Sequence, residues 1–287
     1  MRTYTSFAVF GAGLVGVPVT RELRARGVSV IVLARPGFCP DTVKRSLPPS
    51  VDIFEVELAD TAKVKQLLKK YAVEVVISTI SAAEVGIQNQ LATTAQAAGV
   101  GLFVPSEFGV VTDGLHGNTM EISTIEHLKA IELPFARFYA GFFIEIIPAL
   151  TGFAVNGKIN VVGYGNMPCS FTASDDVAGF VAHVLTSLPS EELFDRTFRL
   201  EGDRSTLSDL AVIFGTDVQY VKEIPVKESS SGRMSEVWKR MQNAAECGVA
   251  STGWDVSQWA EGKECAGCTN HLWGGHEWKT IKSFYQL

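Results

Sequence analysis

The sequence predicts an α/β protein, a doubly wound parallel sheet followed by a smaller α+β part. Three observations lead there. In the first half, short β-branched runs alternate with helical patterns. A glycine-rich turn lies between the first strand and the first helix. Past Pro134 the alternation gives way to a less regular mixture. Strands are expected near residues 6–10, 28–33, 51–56, 74–78 and 101–104, and helices near 14–26, 61–71, 84–98 and 120–132. Val64, Leu67 and Leu68 fall at helical spacing behind Asp60, a good N-cap residue, and Gly99 suits the residue just past a helix end. Further on, strands are expected at 135–139, 158–163, 197–200 and 218–224, and helices at 172–188, 205–214 and 233–247. Residues 228–232 (ESSSG) read as a loop. A boundary near residue 150 divides a first domain, 1–150, from a second part, 151–287, with some later segments packing back onto the first.

The glycine turn carries the chemistry. Residues 7–16 read FAVFGAGLVG, so a buried strand runs into Gly11-x-Gly13-x-x-Gly16 and then a helix. The first glycine permits the tight turn, the second lets the backbone approach a pyrophosphate, and the third lets helix and strand pack closely. The helix N-terminus offers amide N–H groups and partial positive charge to phosphates. This is the Rossmann-type arrangement. NAD sites usually end the second strand with Asp or Glu, which binds the ribose 2′-OH. Here Arg35 stands at that place, with Lys44 and Arg45 shortly after. A guanidinium accommodates a 2′-phosphate, so the expected cofactor is NADPH/NADP+.

Composition excludes several classes. At 287 residues the chain is longer than the usual domain of about 100–200 residues. Its net charge of −6 argues against nucleic acid as a partner, because such binders present basic surfaces. Five cysteines, an odd number, fit a reducing cytoplasmic setting better than a disulfide framework. The apolar N-terminus contains the glycine motif and lacks a convincing cleavage site, so it does not read as a signal peptide. No apolar run approaches the ~20 residues that span a bilayer. A soluble protein with a small-molecule substrate is expected, with neither membrane nor nucleic acid as partner.

Several segments together resemble one family. FGAGLVG, VLARPG, VISTIS (76–81), VPSEFG (104–109), AGFF (140–143) and the GYG…FTASDDVAGFVAHVL run (163–185) are similar to the isoflavone-reductase-like, or NmrA-like, atypical short-chain dehydrogenases. VPSEFG after a strand is the most specific of these. The resemblance implies an NADP-binding domain with a smaller C-terminal part covering the substrate. It implies that Gly11, Gly13, Leu14, Val15 and Gly16 hold the pyrophosphate, and that Arg35 and Lys44 hold the 2′-phosphate. It places Ser78, Thr79 and Ile80 along the ribose and diphosphate, and Pro105, Ser106, Glu107 and Phe108 towards the nicotinamide. The last two segments also lie at carboxyl ends of predicted strands, where doubly wound sheets bind ligands.

One departure from the family matters. Its reductases carry a proton-transferring Lys at the start of the helix after PSEFG. Counting back from Leu133-Pro134-Phe135 puts that position at or beside Glu121, and no Lys occurs between Lys70 and Lys129. Hydride delivered to an activated C=C leaves an enolate-like charge that needs a donor. Hydride delivered to an iminium leaves a neutral amine and needs none. A carboxylate there favours a cationic substrate, by about 1 kcal/mol in bulk water and several-fold more where water is excluded. An imine-containing, alkaloid-like substrate of specialised metabolism is therefore expected, with Glu121 as its electrostatic partner; a solvated first-turn glutamate is the plain alternative.

Tyr139, Tyr164 and His116 are the other proton-donor candidates. Tyr139 ends a predicted strand before Gly141-Phe142-Phe143, and His116 lies in a glycine-rich stretch (113–117) suited to a lid. The Tyr-x-x-x-Lys pair of typical short-chain dehydrogenases is missing: Val75 and Phe143 follow Tyr71 and Tyr139 at that spacing. Cys265, Cys268, His271 and His276 are spaced like zinc ligands but lack the usual long spacer to a second pair, so no metal is expected. All five tryptophans lie at or beyond residue 238, which would furnish flat apolar walls and cation–π contacts if that part covers a ligand. Three activities fit these residues: an NADPH-dependent reductase of C=N or C=C, a cyclase or rearrangement enzyme that keeps NADP(H) unconsumed, and an NADP(H)-sensing regulator.

Overall fold

The computed structural model describes residues 2–80, 86–112, 120–227, 232–262 and 265–287. In chain order its elements are β1 (Ser6–Phe10), α1 (Gly16–Ala25), β2 (Ser29–Ala34), α2 (Asp41–Ser46), β3 (Asp52–Glu55), α3 (Thr61–Lys70), β4 (Val75–Ser78), α4 (Gln88–Ala98), β5 (Leu102–Val104) and α5 (Met120–Ala130). Next come β6 (Ala136–Tyr139), β7 (Phe142–Phe143), α6 (Ile147–Leu150), α7 (Phe153–Asn156), β8 (Ile159–Val161), β9 (Pro168–Thr172), α8 (Ser174–Ser187) and β10 (Arg196–Arg199). The chain ends with β11 (Asp203–Thr206), α9 (Leu210–Ile213), β12 (Val218–Tyr220), α10 (Gly232–Glu246), β13 (Trp254–Asp255), β14 (Ala260–Glu261) and α11 (Ile281–Tyr285).

Two compact units share the chain. The first gathers the described residues within Met1–Glu107, Leu115–Phe138 and Val177–Phe198. The second gathers those within Phe108–Gly114, Tyr139–Asp176 and Arg199–Leu287. The chain therefore passes between units several times; the sequence suggested a boundary near residue 150, with later segments packing back onto the first part.

In the first unit, five parallel strands run in the order β3-β2-β1-β4-β5. The order reverses between β1 and β4, which makes their carboxyl ends the topological switch point. Strands β1, β2 and β4 are apolar almost throughout because both faces of the sheet are covered. Helix α3 buries Val64, Leu67 and Leu68, and the Asp60 carboxylate accepts from the Lys63 N–H at 3.0 Å, as the sequence predicts. Gly99 closes α4 at φ 90°. A parallel bridge from Phe103 to Phe135 leads to β6, which pairs with β10. The 177–198 segment returns here because of three fully buried rings. Phe138 stacks on Phe198 at 4.8 Å, and Phe180 of α8 meets both edge-on at 6.3 and 5.8 Å.

The second unit is the smaller-sheet α+β part. It holds a three-stranded sheet, β11-β9-β7, and two two-stranded pairs, β12-β8 and β13-β14. Its core gathers Phe142, Ile147, Leu150, Phe171, Leu207 and Ile281. The expected helix over 205–214 is corrected: Asp203–Thr206 is a strand antiparallel to β9, and only Leu210–Ile213 is helical. Its ladder partner, residues 168–172, carried no strand expectation, so nothing in the local pattern recruited Ser205 and Thr206. Among the described residues, no helix is long and apolar enough to cross a membrane.

Candidate functional site

The glycine turn sits at the carboxyl end of β1. Gly11 takes φ +103°, and its N–H donates to the Leu33 carbonyl at 2.9 Å, which ties the turn to β2. A Cβ on Gly16 would stand 2.3 Å from the Gly11 carbonyl oxygen, so this position admits no side chain. Among the described residues, a Cβ on Gly13 would meet nothing within 4 Å. Two glycines thus answer to packing, whereas Gly13 faces open space. Leu14 beside it is 46% exposed, and Val15 is half-buried. Helix α1 begins with no side-chain cap and no acidic residue in its first turn. Its positive end is therefore available to an anion.

The end of β4 completes the switch point. Ser78 pairs in register with Phe10 and is fully buried, yet its Oγ has no hydrogen-bond partner among the described residues. A buried hydroxyl left in this state is costly, and a bound polar group would satisfy it. The Thr79 hydroxyl instead donates to the carbonyls of Phe10 at 3.0 Å and Gly11 at 3.3 Å. It braces the glycine turn from the neighbouring strand. Ile80 is buried, and its carbonyl accepts from the Ser106 hydroxyl at 2.8 Å. The Ser106 N–H donates to Gln88 Oε1 at 2.7 Å. Gln88, at the start of α4, therefore holds the chain after Pro105, a role no pattern in the sequence announced.

Glu107 is another of the residues expected towards a nicotinamide. It is almost wholly buried, and its carboxylate lies 3.8 Å from the Arg137 guanidinium. Arg137 in turn donates to Thr197 Oγ1 at 2.9 Å. That carboxylate anchors β6 and β10 within the first unit. Phe108 belongs to the second unit, where it is buried.

At the end of β2, the Arg35 guanidinium lies 3.6 Å over the Phe38 ring, which is 62% exposed. Lys44 of α2 pairs with Glu55 of β3, Nζ to Oε1, at 2.6 Å. The second Glu55 oxygen accepts from the Gly37 N–H at 3.3 Å. Hydrogen bonding to Lys44, and then to Gly37, lowers the Glu55 pKa; the same bond to Glu55 raises that of Lys44. Asp41, Lys44 and Arg45 line an open concavity. Phe38 and Glu55 escaped the sequence reading, although Glu55 lies within a predicted strand, closes β3 and is in register with Ala34.

The proton-donor candidates separate. Tyr139 does not face a cleft: it is fully buried, with its hydroxyl 3.0 Å from Thr112 Oγ1 and the Arg199 guanidinium over its ring at 5.5 Å. Tyr164 is 78% exposed. Glu121 lies on the first turn of α5, with its side chain outside what is described, and His116 lies outside the described residues. In the C-terminal segment, His276 stacks on Trp273 at 3.6 Å and bonds Asp176 Oδ1 through Nε2 at 3.1 Å. His271 Nδ1 lies 2.8 Å from the Cys268 carbonyl oxygen. Among the described residues, no group of three or more His, Cys, Asp or Glu could hold a metal.

A parallel doubly wound sheet with a glycine turn, an uncapped helix end and a buried orphan hydroxyl at its switch point defines the architecture of nucleotide-binding α/β proteins. More narrowly, the chain belongs to the NmrA-like family, whose model matches residues 5–223. Comparison with curated protein sequences gave no match. Among solved structures, the chain is similar to the leucoanthocyanidin reductase–NADPH complex of Vitis vinifera, with TM-score 0.73, 18% identity and 98% of each chain covered. It is similar to an NADPH-dependent quinone oxidoreductase of Escherichia coli, with TM-score 0.72, 17% identity and 98% of each chain covered. A nucleoside-diphosphate-sugar epimerase of Staphylococcus aureus gives TM-score 0.71 at 15% identity, covering 98% of this chain and 100% of its own.

Proposed function

We propose that this protein is an NADPH-dependent reductase of a small molecule. The observation that carries the reading is Arg35, a cation at the end of β2 where an acidic residue would select NADH. Gly13, with open space around it, and the uncapped start of α1 would hold the pyrophosphate, and the unpartnered Ser78 hydroxyl would serve the adjoining polar groups. The bound coenzyme supplies a hydride from its nicotinamide; the chain supplies position and dryness. Two similar structures, the plant and bacterial reductases, are described as NADPH complexes or NADPH-dependent, which supports the same cofactor here.

Calorimetric titration tests this. Arg35→Ala is expected to weaken NADPH about 10- to 100-fold, matching the ~1.5–3 kcal/mol of hydrogen bonds to a charged group, and to change NADH far less. A native protein that takes up neither coenzyme removes the reading.

For the substrate, we infer a cationic C=N group ahead of an activated C=C. No lysine stands near the start of α5, and Glu121 occupies its first turn. A carboxylate opposes an enolate but attracts an iminium, whose reduction requires no proton at carbon. Glu121→Gln is expected to lower kcat/KM about tenfold or more on a cyclic iminium while sparing a neutral enone. Unchanged turnover of the cation sinks the assignment. The missing lysine equally suits an iminium cyclisation with the coenzyme retained. Product formed without loss of reduced-nicotinamide absorbance would select that second reading.

A further inference from the structure

We propose that Glu55 sets how strongly this protein discriminates NADPH from NADH, by competing with the 2′-phosphate for Lys44. The inference rests on the cofactor reading above and refines it. Arg35 and Lys44 together suggest two positive charges for the phosphate. Lys44 is held by a carboxylate, its Nζ 2.6 Å from Glu55 Oε1. Glu55 is also fixed from its other side, where Oε2 accepts the Gly37 N–H at 3.3 Å. Gly37 follows Arg35 by two residues, and Glu55 lies in register with Ala34, the residue before Arg35. The carboxylate therefore stands at the strand end where a doubly wound sheet holds the adenosine ribose.

A carboxylate beside these cations lowers the positive charge that meets a phosphate carrying nearly two negative ones. A 2′-phosphate must draw Lys44 away from Glu55 or bind beside a carboxylate that the Gly37 amide keeps in place. Both routes cost affinity. Neither penalises NADH, whose ribose hydroxyl can donate to a carboxylate as it does in NAD sites. The pair is part-exposed at both ends, with 40% and 37% of the two side chains accessible, so its exchange for a phosphate is open to ligand binding. Phe38 adds the remaining element, a ring that keeps the Arg35 guanidinium stacked above it at 3.6 Å.

The experiment is a double-mutant cycle read by calorimetry, with NADPH, NADH, adenosine 2′,5′-bisphosphate and adenosine 5′-monophosphate as titrants. Glu55→Gln is expected to raise the NADPH-to-NADH affinity ratio about tenfold, with the bisphosphate gaining over the monophosphate by a similar factor. Glu55→Ala, which removes the Gly37 acceptor as well, is expected to move the ratio the same way. Lys44→Met should cost wild-type NADPH affinity no more than about threefold, yet abolish the gain in the Glu55→Gln background. Thermal melts of each variant establish that it is folded. A ratio unchanged within twofold in both Glu55 variants overturns the proposal. So does a tenfold loss of NADPH affinity on Lys44→Met alone, since Lys44 would then already serve the phosphate. Failure of the cofactor reading looks different: wild type then binds neither coenzyme and neither fragment.

Discussion

Gly13 and Gly16 belong to one turn but differ in what an added methyl would meet. At Gly16 the methyl would collide with the Gly11 carbonyl oxygen at 2.3 Å, and backbone cannot swing aside as a side chain does. Gly16→Ala is therefore expected to lower Tm and to impair coenzyme binding together. At Gly13 the methyl meets no atom of the described residues within 4 Å. Gly13→Ala is expected to leave Tm within about 1–2 °C of wild type, as surface changes of under about 0.5 kcal/mol do. On the proposed reading the same change should reduce NADPH affinity at least tenfold, because the methyl would occupy the pyrophosphate's approach. A Gly13→Ala protein that binds normally would remove the turn from the site. The cysteines allow a second residue-level test. Burial pushes the Cys169 thiol up to about 12 and raises that of Cys39, while Cys247 and Cys265 are exposed. A raised thiol pKa leaves little thiolate at pH 8, so native protein treated with a thiol reagent should react at Cys247 and Cys265, and at Cys39 and Cys169 only after unfolding. Peptide mapping of the labelled sites reads the order directly.

At the scale of elements, the buried pair between Glu107 and Arg137 decides how the end of β5 meets β6. Breaking a buried pair of this kind by removing one member costs about 3–5 kcal/mol. Arg137→Met should accordingly lower unfolding free energy by that amount in denaturant titrations, and adding Glu107→Leu should restore most of it. A loss below about 1 kcal/mol would mean that the two charges are not coupled. Local pattern also explains what the sequence disclosed. Strands β1, β2, β4 and β5 and helices α1, α3 and α4 were legible because each buries an apolar set. Strands β7, β9 and β11 were not: β7 is two residues long, and β9 and β11, which pair Phe171 with Asp203, have no apolar run in either segment. The site divides in the same way. Gly11, Gly13, Gly16 and Arg35 announce themselves through spacing and residue type. Glu55, Gln88 and Arg137 matter through partners 11, 18 and 30 positions away, contacts that no periodicity encodes.

For the molecule as a whole, the proposed coenzyme site would link binding to folding, since the glycine turn exists only when β1, β2 and β4 are assembled around it. Gly11 depends on Leu33 of β2, and Thr79 beyond β4 braces the carbonyls of Phe10 and Gly11. A ligand that binds only the folded chain stabilises it by about 2.7 kcal/mol at a hundredfold excess over Kd. With about 2–4 °C of Tm per kcal/mol for chains of this order, NADPH should raise Tm by roughly 5–10 °C, increasing with the logarithm of its concentration. Differential scanning calorimetry at several NADPH concentrations measures this. The Gly13→Ala protein sharpens the test, because its assembled sheet should melt where wild type does without ligand. If the turn is where the coenzyme binds, that variant should need at least a tenfold higher NADPH concentration for the same rise in Tm. An equal rise at equal concentration in both proteins would place the stabilising contact elsewhere on the chain.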